Sequence, residues 1–97
     1  MIVTDHHRPP ETLPNAVAVV DPHRADSVYP FAGLCGAGVA FKLICALEED
    51  AEGMLLEHYG DLLAIATVAD VVPLLDENRA MVQAGLSLLR ETENPGI

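Results

Sequence analysis

The chain has no tryptophan, and its whole aromatic complement is Tyr29, Phe31, Phe41 and Tyr59. A sequence that is 51% hydrophobic yet so poor in rings must build its core from Leu, Val, Ile and Ala. No apolar run reaches the ~18 residues of a membrane-spanning helix. The first residues, Met1 to His7, lack the basic and apolar regions of a signal peptide, so no export leader is expected. Cysteine is scarce: Cys35 and Cys45 match no zinc-ligand spacing. Two reduced, partly buried thiols in a cytoplasmic protein are expected instead. Basic side chains are few, with 5 Lys and Arg against 15 Asp and Glu, for a net charge of -10. That balance argues against a nucleic-acid-binding face built from this chain alone. The acidic groups then have two uses, concentration at a metal site or a solvated, solubilising surface.

What is present suits one small domain of 97 residues. Ile2 to Thr4 reads as the end of a strand, and Ala16 to Val20 as a second, buried strand. Pro9, Pro10 and Pro14 keep the connection extended. Two-sided apolar strands suit a parallel sheet covered by helices. Asp21 to Cys35 has no period and reads as a long loop. Gly36-Ala37-Gly38 opens a helix to about Leu47, expected to be buried nearly all round because Lys42 is its one polar residue. Glu48, Glu49, Asp50 and Glu52 read as a solvated acidic turn. A further helix is expected from Asp61, as its cap, through residues 62–69, ending before Pro73. The last helix is expected to take Asp76 as N-cap and Glu77 in its first turn. Val82, Leu86 and Leu89 fall on one face, with Gly85 allowing a close neighbour. The expected fold class is α/β, a partial parallel sheet flanked by helices.

Asp5-His6-His7 stands where a strand ends and a loop begins, the edge at which open α/β sheets bind ligands. Two imidazoles and a carboxylate can make a metal site, one His ligating and the Asp orienting a ring through its other nitrogen. A surface turn with two chance histidines is the other reading. Asp70 interrupts the apolar stretch from Leu62 to Leu75, near a helix C-terminus where the dipole disfavours negative charge. Buried, it needs a cation or hydrogen bonds; at the helix end, it can simply reach solvent. Gly36-Ala37-Gly38 can present amides to a phosphate or serve close packing. Glu77-Asn78-Arg79 is a polar cluster or an ordinary solvated face.

Taken in order, these segments resemble the DHH phosphoesterases. Thr-Asp-His-His at 4–7 resembles the third motif, which names that family. Ala-Gly-Val-Ala-Phe-Lys-Leu at 37–43 is similar to the helix following it in the RecJ branch. Leu-Leu-Ala-Ile-Ala-Thr-Val-Ala-Asp-Val-Val-Pro-Leu at 62–74 resembles the fourth motif, and Glu-Asn-Arg at 77–79 with Gly85-Leu86 resembles the segment beyond. The resemblance implies that His6 and Asp70 ligate a manganese or magnesium pair. It implies that His7 sits by the metal or the scissile phosphate, with Asp5 behind the histidines, and that Gly36, Gly38 and Arg79 contact substrate. In the RecJ branch the reaction is hydrolysis of single-stranded DNA from the 5′ end by a metal-activated water, in DNA repair and recombination. The resemblance also implies that residues 1–97 are the C-terminal portion of a DHH domain. Two earlier carboxylate motifs would precede Asp5 and a substrate-gripping domain would follow Ile97. The fragment alone is then expected to be inactive and to self-associate through an open sheet edge or apolar face. Oligonucleotide or cyclic-dinucleotide hydrolases and exopolyphosphatases share the motifs and stand as the alternative. A catalytically silent replication scaffold is the non-enzymatic one, against which the intact His6, His7 and Asp70 argue.

Overall fold

A computed structural model describes residues 1–49 and 52–97. Its elements are β1 (Ile2–Thr4), β2 (Ala18–Val20), α1 (Gly36–Leu47), α2 (Glu52–Ala69) and α3 (Asp76–Leu89). The two strands pair in parallel, with Ile2 opposite Ala18, Val3 opposite Val19 and Thr4 opposite Val20. Backbone bonds from Asp5 to Val20 and from Val17 to Met1 extend the ladder at both ends. The mixed α/β class is therefore as expected. The second strand is shorter than expected, starting at Ala18 rather than Ala16. Nor is the sheet buried on two faces: its residues alternate between exposed and half-buried, because α1 packs against β1 and two strands offer little else to cover.

The core is Leu34, Val39, Phe41, Leu63 and Met81, with Phe31, Cys45, Leu55, Leu56 and Tyr59 packed against it. It is mostly aliphatic, as the shortage of rings required. Helix α1 has the expected limits but not the expected burial. Gly38, Val39 and Phe41 are buried, whereas Ala46 and Leu47 are exposed, since neighbours cover only one side. Lys42 leaves that helix to reach Glu52 at 2.7 Å and Glu77 at 2.9 Å, and the Tyr29 hydroxyl donates to Glu77 at 2.5 Å. One ammonium thus ties α1, α2, α3 and the long loop together. Burial alone would lower its pKa, but the hydrogen bonds to Glu52 and Glu77 outweigh that and raise it.

Helix α2 does not begin at Asp61. It begins at Glu52, and Asp61 is buried in mid-helix. Its carboxylate accepts a 2.6 Å hydrogen bond from Thr92 Oγ1, which with the Leu62 amide holds its pKa below the usual value. Of the expected acidic turn, Asp50 lies outside the described residues and Glu52 belongs to α2. Helix α3 is capped at Leu75 and not at Asp76, which is its first helical residue. Gly85 does allow a close neighbour. A Cβ there would fall onto the Gly60 carbonyl oxygen and come within 2.6 Å of the Ala64 Cβ. Both cysteines are free thiols, Cys35 buried and Cys45 half-buried. Among the described residues no helix is long and apolar enough to cross a membrane.

Candidate metal centre

Because β1 and β2 run parallel, their carboxyl ends share one edge, and Asp5 leaves β1 there. Its Oδ1 accepts the amides of His6 at 2.8 Å and His7 at 3.3 Å, and lies 2.8 Å from His7 Nδ1. The His7 ring bond is the largest cause holding the Asp5 pKa low, followed by the two amides. An ionised carboxylate only accepts, so it selects the tautomer in which His7 Nδ1–H donates and Nε2 faces outward as an acceptor. The rings of His6 and His7 stack at 4.2 Å, tilted by 45°. Asp5, His6 and His7 each offer a ligand atom, all within 4.8 Å of one another.

The second half of the site arrives from α2. Asp70 caps that helix through its amide bond to Ala66, and its Oδ2 stands 3.5 Å from His6 Nδ1. An open cavity of about 340 Å³ lies between them, lined by His6, Cys35, Gly36, Ala37, Ala66, Ala69 and Asp70. The N-terminus of α1 opens on this cavity, and its cap residue, Cys35, makes no side-chain capping bond. The first amides of a helix are donors with a partial positive charge, suited to an anion.

The structure thus brings together Asp5, His6, His7, Asp70 and Gly36. Of the two readings of Asp70, the helix-end one holds: its side chain is 41% exposed. The residue follows the last turn of α2, and Val68, Ala69 and Val71 beside it are exposed too. Gly38 lies outside the cavity, packed against Leu34 and Cys35, so packing explains that glycine. Arg79 is exposed on α3 and does not line the cavity.

Residues 1–67 match the model of the DHH family, N-terminal domain, a span containing β1, Asp5, His6, His7 and α1. The chain belongs to the DHH family. It is 47% identical over 97 residues to the single-stranded-DNA-specific exonuclease RecJ of Bacillus subtilis. It is 44% identical over 110 residues to the protein of that name from Dickeya dadantii, and 40% over 109 to that from Escherichia coli. Each match covers 100% of this DHH chain but only 12, 19 and 19% of the relative, so the chain spans less than a fifth of their length. Asp70 and α3 lie beyond the family match but within the stretch shared with the relatives.

Three buried polar residues near this site, Asp21, Thr67 and Asn78, were not picked out individually from the sequence. Asp21, at the end of β2, is 6% exposed and accepts the His23 amide at 2.8 Å, an Asx turn that starts the long loop. Thr67 and Asn78 are fully buried. Thr67 had a visible signal, since it is the only hydroxyl among the apolar residues of α2 between Leu62 and Ala69. Asn78 stood out only within the Glu77-Asn78-Arg79 cluster, where a polar residue in the first turn of a helix ordinarily faces solvent; it is instead fully buried.

Proposed function

We propose that this chain is the part of a RecJ-like, metal-dependent single-strand exonuclease that carries the third and fourth motifs of its DHH domain, the C-terminal portion of that domain. The observation that carries the reading is the 3.5 Å approach of His6 Nδ1 to Asp70 Oδ2, from the end of β1 and the end of α2, beside the Asp5–His7 pair. Imidazole nitrogens and carboxylate oxygens suit Mn²⁺, and carboxylate with water suits Mg²⁺. In this reading His6 and Asp70 hold the cation, which when bound neutralises charge on phosphoryl oxygens and acidifies water. Asp5 fixes the His7 ring, leaving Nε2 to accept a proton or to approach the phosphate. The α1 amides at Gly36 and Ala37 bind a phosphate oxygen. Arg79, away from the cavity, is left a role with more distant phosphates of the strand. The substrate is single-stranded DNA, degraded from the 5′ end in the cytoplasm. Two ligating side chains are too few for a two-metal site, so the isolated chain binds Mn²⁺ weakly and does not cleave. Its uncovered strand edge and apolar face favour self-association.

The test is a chimera in which this chain replaces its 97-residue match in the Bacillus subtilis relative. Asp70→Ala and His6→Ala abolish Mn²⁺-dependent nucleotide release from single-stranded DNA. His7→Ala lowers turnover more than metal affinity. Unchanged rates in Asp70→Ala would make Asp70 a helix-end residue and nothing more. Preference for short oligonucleotides, cyclic dinucleotides or polyphosphate over long strands would move the reading to another branch of the family.

A further inference from the structure

Behind the walls of the cavity lie three almost completely buried side chains that carry polar or thiol groups: Cys35, Thr67 and Asn78. Asn78 makes the longest span. Its Nδ2 donates to the Gly33 carbonyl at 2.6 Å and to the Pro73 carbonyl at 2.9 Å. Gly33 sits in the loop that enters α1, just before Cys35, Gly36 and Ala37. Pro73 sits in the loop that leaves α2, just after Asp70. Those are the two walls of the cavity. His6 rests on the first, its Cδ2 being 3.5 Å from where a Gly36 Cβ would stand, and Asp70 belongs to the second. Thr67 Oγ1 and Cys35 Sγ, 3.5 Å apart, link the same walls a second time.

The orientation of the Asn78 amide is fixed, because a half-turn would set Oδ1 against two carbonyl oxygens. Oδ1 itself has no hydrogen-bond partner among the described residues. What asparagine supplies is one nitrogen with two protons, aimed at two separate loops. We propose that Asn78 is a positioning residue for the metal centre: its amide sets the spacing of the two walls, and with it the approach of Asp70 to His6. The inference rests on the metal-site reading above.

Cys35 provides a test that needs no metal. In a Cys45→Ala background it is the sole thiol, a wall residue only 2% exposed. Asn78→Leu removes both donors, and Asn78→Asp keeps the shape but turns an ionised carboxylate toward two carbonyls. Either change is expected to speed the reaction of Cys35 with an aromatic disulfide reagent about tenfold, at a rate flat across low urea, as local opening requires. Met81→Ala, a core change on the same helix, should speed it only through urea-dependent global unfolding. Mn²⁺ binding to the Asn78 variants should weaken, with preference shifting toward the larger Ca²⁺. An unchanged labelling rate, or one that follows urea as in Met81→Ala, overturns the proposal. So does faster local labelling with an unaltered preference between Mn²⁺ and Ca²⁺. Asp70→Ala serves as the separate control: if Mn²⁺ binding ignores it, the metal-site reading fails whatever Asn78 does.

Discussion

Where α2 meets α3, Gly60 and Gly85 lie so close that no side chain fits between them, and Asp61 is bonded across to Thr92. Across the chain, the β1–β2 edge leaves Ile2 60% and Val17 84% exposed, and Asp5, His6 and His7 stand on the loop that follows. The first region is closely packed helix against helix. The second buries little and carries Asp5, His6 and His7, whose ligand atoms lie within 4.8 Å of one another. Close packing contributes folding free energy in proportion to the area removed from water, whereas a ligand site must remain accessible. The division implies that a change in one region should leave the property of the other largely intact.

The largest effect should come from the helix contact. Gly85→Val places a branched side chain onto the Gly60 carbonyl and Ala64, and neither backbone can retreat without separating the helices. Overpacking of this kind costs about 3 kcal/mol, a large share of the stability of a small domain. Urea denaturation followed by far-UV circular dichroism measures it. A loss much below 1 kcal/mol would mean that the helices can slide apart, and the contrast between the regions would weaken.

A smaller effect tests the Lys42 node that links α1 to α2 and α3. Burial and the hydrogen bond to Glu77 push the Tyr29 pKa up to about 12 from 10.0, and that of Lys42 is also raised above its ordinary value. Both groups hold their protons more tightly in the folded state. Their contribution is therefore complete below pH ~10 and lost as pH climbs through the folded values. Tyr29 is 38% exposed, so solvent screening limits its share to on the order of 1 kcal/mol. Tyr29→Phe should flatten the alkaline fall in stability between pH ~10 and ~12. An alkaline limb identical in both proteins would remove Tyr29 from the network.

The two regions also differ in how far they could be read from sequence. The parallel strands, the limits of α1 and the meeting of His6 with Asp70 were legible, since each follows from a local pattern or an ordered series of motifs. The helix hairpin was less so. Gly53 and the acidic residues around it obscure the start of α2, and Asp61 resembles a cap until Thr92, 31 residues later, is seen to hold it. Asn78 could be read only as one of the Glu77-Asn78-Arg79 cluster; its burial was illegible for the same reason, its acceptors being two loop carbonyls. Partners fixed by the fold leave no mark on composition or periodicity. The burial of Asp70 was left open by the sequence, since its apolar neighbours fit a core or a helix end; Val68 and Val71 are exposed with it, so the helix-end reading holds.

The exposure of Asp70 sets the smallest expected effect. A buried, uncompensated Asp70 would destabilise the chain by desolvation, and replacing it with Ala would then stabilise. The side chain is instead 41% exposed and 3.5 Å from a half-buried His6, so solvation penalty and ion-pair gain are both small. Asp70→Ala should therefore shift stability by no more than about 0.5 kcal/mol in either direction. The same change is the one proposed to remove divalent-cation binding and, in the chimera, nuclease activity. The two measurements together, a urea midpoint and a Mn²⁺ titration, bear on the division of labour directly. A near-constant midpoint with lost binding is the signature of a residue retained for chemistry. A stability change above 1 kcal/mol would show instead that the open edge contributes to holding the fold together.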